Sequence, residues 1–281
     1  MALWLVTGAG RGLGRAFAEA ALERGDRVVA TIRQDGVLDD LVKQYGDQVV
    51  PRQLDVASAA EVSRVVAEIV ETVGTPDVVV NNAGYGLVGA IEELSEEEIR
   101  AQFDVNLFGA IWVTQAVLPH LRARGSGRVV QVSSVGAVGH LPLFGAYNAT
   151  KWALEGLSSA LAAEVAPFGI GVHLLQLGGF ATDWAGSSMR FTMANPAYDG
   201  TREGILGMPG YPTPDLVAAA EPSTDESPAV AAQALLAFLD EPEPPLRKII
   251  GNGAHDMVRM ALEFRRDDYL RDPAFSWPAG S

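Results

Sequence analysis

Residues 3–14, LWLVTGAGRGLG, carry the strongest fold signal in this chain. A short apolar run, typical of a buried strand, leads directly into a cluster of glycines, and helical periodicity begins within that cluster. Glycines at such a junction permit a tight turn and a close backbone approach, so that N–H groups and the helix dipole can meet a pyrophosphate. The candidate phosphate-binding residues are Gly8, Arg11, Gly12, Leu13 and Gly14.

The same alternation of strand and helix continues along the chain. The predicted strands are Leu3–Thr7, Arg27–Ile32, Val49–Leu54, Asp77–Val80, Arg128–Ser133, Gly171–Leu177 and Lys248–Gly251. The predicted helices are Leu13–Arg24, Ala59–Val73, Glu96–Ala123, Ala146–Pro167 and Pro228–Leu239. Most strands are apolar at consecutive positions, as expected when both faces of a parallel sheet are buried. The pattern predicts an α/β fold: one domain, residues 1–281, with a doubly wound Rossmann-type parallel sheet flanked by helices on both faces.

Two segments depart from this alternation. Residues 183–227 contain five prolines, which prevent a long regular helix and predict a partly helical insertion after the sixth strand. Because ligands of open α/β sheets bind beyond the carboxyl ends of the strands, we expect this insertion to act as a substrate lid. The alternative is an irregular surface excursion without a role. Residues 254–271 predict an additional C-terminal helix.

Composition excludes several classes of function. The 281 residues carry 21 Lys+Arg against 35 Asp+Glu, a net charge of −14, which disfavours binding to nucleic acid or to an anionic membrane. The chain has no cysteine, so disulfides, thiolate metal sites and cysteine nucleophiles are excluded. Its four histidines show no paired ligand spacing, so no metal site is expected. With neither a leader pattern nor a long apolar run, the sequence predicts a soluble cytoplasmic protein.

The end of the second strand predicts the dinucleotide that the turn binds. An acidic residue there would bind the 2′-hydroxyl of the ribose and repel a 2′-phosphate. This chain has Ile32 at that position and Arg33 directly after it, and Arg11 in the glycine turn is a second cation within reach. NADP(H) is therefore favoured, and the nearby Asp35 leaves NAD(H) as the alternative.

Further candidates lie after the later strands. Asp55 and its neighbour Val56 follow the third strand, where Asp55 either binds an adenine edge or forms a turn. Residues 81–84, Asn-Asn-Ala-Gly, end the fourth strand and contribute Asn82, Ala83 and Gly84. Tyr147 and Lys151 lie four residues apart on one helical face, where an ammonium group would favour the phenolate and lower the tyrosine pKa.

The complete set of motifs resembles the short-chain dehydrogenases/reductases in their single-domain branch. The matching residues are Thr7-Gly8-x-x-x-Gly12-x-Gly14, Asn81-Asn82-Ala83-Gly84, Asn106, Ser134 and Tyr147-x-x-x-Lys151. The resemblance covers residues 3–182 and extends more loosely to the remainder. It implies that Tyr147 is the general acid/base, that Ser134 orients the substrate oxygen, that Lys151 binds the nicotinamide ribose, and that Asn106 holds a water of a proton relay.

One motif departs from the family pattern. After the sixth strand the family usually has Pro-Gly-x-x-x-Thr, whereas residues 177–182 read LGGFAT. The resemblance implies cofactor contacts from Gly178, Phe180 and Thr182. Leu177 replaces the proline, and its side chain must enter either the core or the substrate pocket; we expect the pocket. The other candidate pocket residues are Tyr85, Leu141, Phe144, Trp184 and Met189, which favour an apolar, bulky substrate, although each alone is equally consistent with core packing.

The resemblance implies an NADPH-dependent carbonyl reductase that acts reversibly as an alcohol dehydrogenase, with a small apolar carbonyl or alcohol as substrate. Enoyl reduction or epimerisation by the same groups is an alternative. A dinucleotide-sensing regulator without turnover is another, although such a protein would have no need of all four catalytic groups. The family usually pairs through its long helices, which implies a homodimer or homotetramer.

Overall fold

The computed structural model describes residues 1–181, 189–213, 216 and 225–278. In this part of the chain, seven parallel strands form the central sheet in the order β3-β2-β1-β4-β6-β7-β9. A separate parallel pair is formed by β5 and β8. The strands are β1 Leu3–Val6, β2 Arg27–Ile32, β3 Val49–Gln53, β4 Val78–Asn81, β5 Gly86–Val88, β6 Gly127–Ser134, β7 Ile170–Leu177, β8 Met189–Phe191 and β9 Arg247–Ile250.

Helices cover both faces of the sheet. They are α1 Gly12–Glu23, α2 Asp39–Tyr45, α3 Ala59–Thr72, α4 Glu96–Phe103, α5 Gly109–Arg124, α6 Gly145–Val165, α7 Asp199–Leu206, α8 Pro228–Leu239 and α9 Ala254–Tyr269. The apolar faces of α1 and α8 pack on one side of the sheet, and those of α3, α5 and α6 pack on the other. The predicted doubly wound α/β fold is confirmed. Its topology brings the carboxyl ends of β1, β4 and β6 to one edge, where ligands of such sheets bind.

The prediction of one long helix over Glu96–Ala123 is wrong in the middle of that range. After α4, residues Asp104–Phe108 wind as a π-helix, and α5 begins at Gly109. The close approach of Val56 explains the glycine, since a Cβ at Gly109 would lie 2.7 Å from a Val56 methyl group. Hydrophobic periodicity does not reveal one extra residue in a turn, and such π turns occur frequently at functional sites.

The segment predicted as an insertion, residues 183–227, is described over 189–213, at 216 and from 225 onward. It contains α7, and it also contains β8, which the sequence did not predict. In the register of the β5–β8 pair, Gly86 lies opposite Met189 and Val88 opposite Phe191. A three-residue strand has too few positions to show an alternating pattern, so only its pairing partner identifies it.

Leu177 corrects one expectation about the substrate pocket. It is the last residue of β7, in register with Ser134 of β6 and Ile250 of β9. Its side chain is 5% exposed and belongs to the apolar cluster between the sheet and the helices α1 and α8. The expectation that this side chain enters the pocket is therefore wrong, because the core on that face of the sheet accommodates it.

We expect Leu177→Ala to lower the free energy of unfolding by about 2–5 kcal/mol, the usual cost of emptying a buried leucine site. Leu177→Met conserves the volume and should cost less than about 1.5 kcal/mol. Urea denaturation measures both variants. If Leu177→Ala instead alters the ratio of kcat/KM between a bulky and a small ketone at unchanged stability, the side chain acts in the pocket.

Candidate active site

The turn between β1 and α1 leaves room for a ligand close to the backbone. Gly8 and Gly12 have φ angles of +64° and +56°, which disfavour any side chain. A Cβ at Gly14 would lie 2.3 Å from Asn82 Nδ2 and 2.4 Å from the Gly8 oxygen. The glycine at position 14 is therefore required for the turn to pack against the end of β4. The cradle at the N-terminus of α1 fits the phosphates of a dinucleotide.

Side chains hold the ends of β1 and β4 together at this edge. Asn82 Nδ2 donates to the carbonyl oxygens of Thr7 at 2.9 Å and Gly8 at 3.2 Å. The Thr7 hydroxyl accepts from the backbone N–H groups of Asn82 at 2.9 Å and Ala83 at 3.1 Å. The Asn-Asn-Ala-Gly motif therefore fixes the shape of the glycine turn from the neighbouring strand.

The end of β2 carries no carboxylate at the position that would select NAD(H). Ile32 is buried, and Arg33 directly after it is exposed. The Ala9 N–H donates to the Thr31 oxygen at 2.9 Å, so the glycine turn lies against this strand end. Arg11, within that turn, is also exposed. The two guanidinium groups are thus carried by adjoining segments at the same edge of the sheet.

Asp55 and Val56, in the turn after β3, differ in burial and in contacts. The Asp55 Oδ1 accepts from the Ala57 N–H at 3.0 Å, which is the turn-forming role that the sequence left open. Asp55 itself stays exposed, whereas Val56 is buried against the glycine at the start of α5.

Ser134, Tyr147 and Lys151 come together at the carboxyl end of β6. A hydrogen bond joins the hydroxyl groups of Tyr147 and Ser134. Lys151 Nζ donates to the Val132 oxygen at 2.8 Å and lies 5.8 Å from the centroid of the Tyr147 ring. All three side chains are positioned by α6, which begins only two residues before Tyr147, and by the last residues of β6.

Burial dominates the ionisation of this pair. It raises the pKa of Tyr147 to about 12, and the hydrogen bond from Ser134 opposes that rise only in part. Burial also lowers the pKa of Lys151 to about 8. In this structure the pKa of Tyr147 is therefore raised, in contrast to the lowering expected from the ammonium group. Tyr147 stays protonated at neutral pH, which is the form that can donate a proton.

Asn106 lies in the π-helical turn, and its side chain holds the backbone that follows β4. Its Oδ1 accepts from the Tyr85 N–H at 3.0 Å, and its Nδ2 donates to the Tyr85 oxygen at 2.9 Å. Gln102 Nε2 donates to the same oxygen at 2.9 Å. Gln102 was not among the residues predicted from the sequence, although its position four residues before Asn106 on the same helical face was a usable signal.

The candidate pocket residues are only partly brought together. The Phe144 ring stands edge-on to the Tyr147 ring at 6.2 Å, and Met189 of β8 packs in the same apolar cluster as Phe144. Leu141 accepts from Asn148 Nδ2 at 3.1 Å through its backbone oxygen, in the loop before α6. Tyr85 directly precedes β5, and the guanidinium of Arg190 in β8 lies 4.6 Å from its ring centroid.

The motif after β7 is described only in part. The Gly178 N–H donates to the Ile250 oxygen at 2.9 Å, and the Phe180 side chain is buried in the same core cluster as Leu177. Thr182 and Trp184 lie outside the described residues.

Comparisons with known proteins agree with this geometry. A family model described as short chain dehydrogenase matches residues 2–191. The curated protein "Oxidoreductase BOA17" of Botryotinia fuckeliana is 40% identical over 262 residues, which cover 93% of each chain. This chain belongs to the short-chain dehydrogenase/reductase family.

Solved structures of short-chain dehydrogenases share its architecture. A short-chain dehydrogenase from Streptomyces avermitilis superposes with a TM-score of 0.85 at 42% identity, covering 96% of this chain and 97% of that one. An alcohol dehydrogenase from the archaeon Thermococcus sibiricus, complexed with 5-hydroxy-NADP, gives a TM-score of 0.71 at 27% identity, covering 89% and 96%.

A buried carboxylate behind the short-chain dehydrogenase motif was missed by the sequence analysis. Glu155 lies four residues after Lys151 on α6 and accepts from Ser133 Oγ at 2.8 Å, Gln176 Nε2 at 3.0 Å and Arg247 Nε at 2.7 Å. It thus ties α6 to three strands of the sheet. Its helical spacing from Lys151 was the available signal.

Within the described ranges, no three histidine, aspartate or glutamate side chains are grouped so that they could hold a metal ion. The helices of those ranges include none with the length and apolarity needed to cross a membrane.

Proposed function

We propose that this short-chain dehydrogenase is an NADP(H)-dependent carbonyl reductase, which converts a ketone or aldehyde to an alcohol and catalyses the reverse oxidation. The observation that carries the proposal is the hydrogen-bonded pair Tyr147–Ser134 beside Lys151, at the sheet edge that also carries the glycine turn. This arrangement offers a proton donor next to a dinucleotide site.

The turn residues fit the dinucleotide because Gly8 and Gly12, with positive φ angles, keep two positions of the backbone free of side chains at the N-terminus of α1. The residues proposed to hold it are Gly8, Arg11, Gly12, Leu13, Gly14, Arg33, Asp55, Val56, Asn82, Ala83, Gly84, Tyr147, Lys151, Gly178, Phe180 and Thr182. When bound, NADPH supplies the hydride that the substrate carbon receives.

The protein's own groups handle the oxygen of the substrate. Tyr147 donates its proton to the carbonyl oxygen, and the Ser134 hydroxyl orients that oxygen. Lys151 carries positive charge near neutral pH, where its pKa of about 8 leaves it protonated, and this charge stabilises the phenolate left after proton donation. Asn106 fixes the backbone at Tyr85 and is proposed to support the proton relay.

The substrate class follows from the surroundings of Tyr147. The aromatic ring of Phe144 and the apolar cluster that contains Met189 favour an apolar carbonyl compound.

We further propose a homodimer or homotetramer that pairs through α5 and α6. The stacked, partly exposed aromatic rings of Phe108, at the end of the π-helical turn, and Trp112, on α5, support that pairing. A panel of ketones, aldehydes and alcohols with NADPH and NADH, followed at the nicotinamide absorbance, tests the proposed activity.

Cofactor preference provides a sharper test. We expect kcat/KM to favour NADPH over NADH, and Arg33→Ala to reduce that preference about ten- to hundredfold, because a charge-assisted bond to the 2′-phosphate is worth about 1.5–3 kcal/mol. Arg64→Ala, on the exposed surface of α3, is the matched control and should leave the preference unchanged. A parent protein that prefers NADH would contradict the assignment.

A further inference from the structure

An apolar cluster that we call the side wall borders the candidate site at Tyr147. Its buried members are Val88, Ala90 and Leu143, and the residues packed against them are Phe144, Met189, Phe191, Tyr198, Leu206 and Tyr211. The wall reaches the proposed proton donor through the edge-on contact between Phe144 and Tyr147. An apolar group attached to a carbonyl near Tyr147 would therefore meet this surface.

Backbone pairing joins three separate chain segments in the wall. The Gly89 N–H donates to the Leu143 oxygen at 2.7 Å, which holds the loop before α6 against β5. The Thr192 N–H donates to the Val88 oxygen at 3.1 Å, which extends the pairing of β5 with β8. Leu143 adopts a φ of +67°, a conformation costly for leucine, so this loop is held in a strained shape by its surroundings.

A buried ion pair lies behind the wall. The side chains of Glu93 and Arg202 are both 0% exposed and form a salt bridge. Glu93 also accepts from the N–H groups of Asn195 at 2.7 Å and Ala90 at 2.8 Å, and from the Tyr211 hydroxyl.

Arg202 in turn fixes the segment that follows β8. Its guanidinium donates to the Asn195 oxygen at 2.8 Å, to the Asp199 carboxylate and to the Pro209 oxygen. Most of the donor and acceptor positions of the pair are therefore used to hold backbone and side chains between residues 190 and 211.

The energetics favour a positioning role over a contribution to net stability. A buried ion pair adds little to the free energy of unfolding compared with apolar residues of similar size, because both charges lose their hydration. Removal of one partner is costly, because it leaves an uncompensated buried charge. A pair of this kind specifies one arrangement of the segments that it joins. Here those segments are the turn after β5 and the insertion that carries β8.

We propose that Glu93 and Arg202 are positioning residues for substrate specificity: they hold β8 against β5 so that the side wall binds the apolar group attached to the reacting carbonyl. This inference rests on the proposed carbonyl reduction at Tyr147 and adds the surface that selects among carbonyl substrates. It implies that substrates with a bulky apolar group depend on the pair, whereas small carbonyl compounds do not.

The test compares 4-phenylcyclohexanone with cyclohexanone, which share the reacting ring and differ by one apolar group. We expect Arg202→Met to weaken binding of the phenyl compound at least about tenfold, within the range that one apolar group contributes to discrimination. Binding of cyclohexanone, and kcat with it, should change by less than about twofold on the same argument. Amide hydrogen exchange should rise in residues 189–206 and stay unchanged in α1 and α3.

Three further variants make the result decisive. The double variant Glu93→Gln with Arg202→Met removes both charges and should recover part of the lost discrimination. Phe191→Ala removes apolar wall surface without touching a charge, and should weaken binding of the phenyl compound alone even if Arg202→Met does not fold. Arg100→Met breaks the exposed pair with Glu96 at 2.7 Å and should change the binding of neither ketone.

Ketone binding is measured by calorimetry on the NADP⁺-loaded protein, in which the ketone has no hydride to receive, so that it does not depend on turnover. The proposed role of the wall would be overturned if Arg202→Met and Phe191→Ala weakened the binding of both ketones equally. It would also be overturned if the two variants changed the binding of neither ketone. A protein that binds 4-phenylcyclohexanone but never reduces it would instead refute the proposed carbonyl reduction. In that case the ratio of the two binding constants still decides the inference about the wall.

Discussion

Tyr147→Phe is expected to reduce kcat for carbonyl reduction by about 10²-fold or more, the usual contribution of a general acid/base group. The phenylalanine ring can still pack against Phe144, but the hydroxyl that Ser134 contacts is lost. The pKa of Tyr147 is about 12, so its hydroxyl is neutral near pH 7 and its titration does not affect the comparison with the variant. Steady-state kinetics with NADPH, together with fluorescence titration of NADPH, separate turnover from cofactor binding.

The matched control is Tyr45→Phe, which removes the hydroxyl of a half-buried tyrosine at the end of α2. It should leave kcat and the Kd for NADPH within about twofold of the parent, as is usual for substitutions away from a functional group. Full activity in Tyr147→Phe would show that the proton comes from elsewhere. An equal loss in both variants would indicate a general effect of losing a hydroxyl group.

The central sheet could be predicted from sequence because each of its strands carries its own signal. Buried parallel strands are apolar at consecutive positions, and the β1 residues Leu3–Val6 are all buried as that pattern requires. The glycine turn could be predicted equally well, because its conformation and packing admit few residues other than glycine at positions 8, 12 and 14. Both features depend on residues that lie close together along the chain.

Features that depend on distant residues could not be predicted. Glu93 is separated from Arg202 by more than a hundred positions, and each alone is indistinguishable from a solvated surface charge. The pairing of β5 with β8 and the burial of Leu177 beside α8 likewise exist only once the sheet has assembled. The π-helical turn at Asn106 depends on the Tyr85 backbone that its side chain contacts.

Lys151 should give two pH dependences of opposite sign. Burial places its pKa at about 8 in the folded protein against 10.5 as the ordinary value. Between those two pH values the unfolded chain binds one proton more than the folded chain, so the free energy of unfolding should rise with pH. Dinucleotide affinity should fall over the same interval, because the ammonium group proposed to hold the ribose is lost, with a limiting change of about tenfold per pH unit.

Lys151→Met removes the titrating group and should abolish both trends together, with kcat about 10²-fold lower because the phenolate of Tyr147 loses its stabilising charge. Urea denaturation and NADPH titration from pH 7 to pH 9.5 measure the two trends, an interval that ends below the pKa of Tyr147. Lys248→Met, at a half-exposed lysine paired with Glu241, is the control and should retain both. Because stability and affinity must move in opposite directions through one group, a change of the same sign in both would assign the titration to another residue.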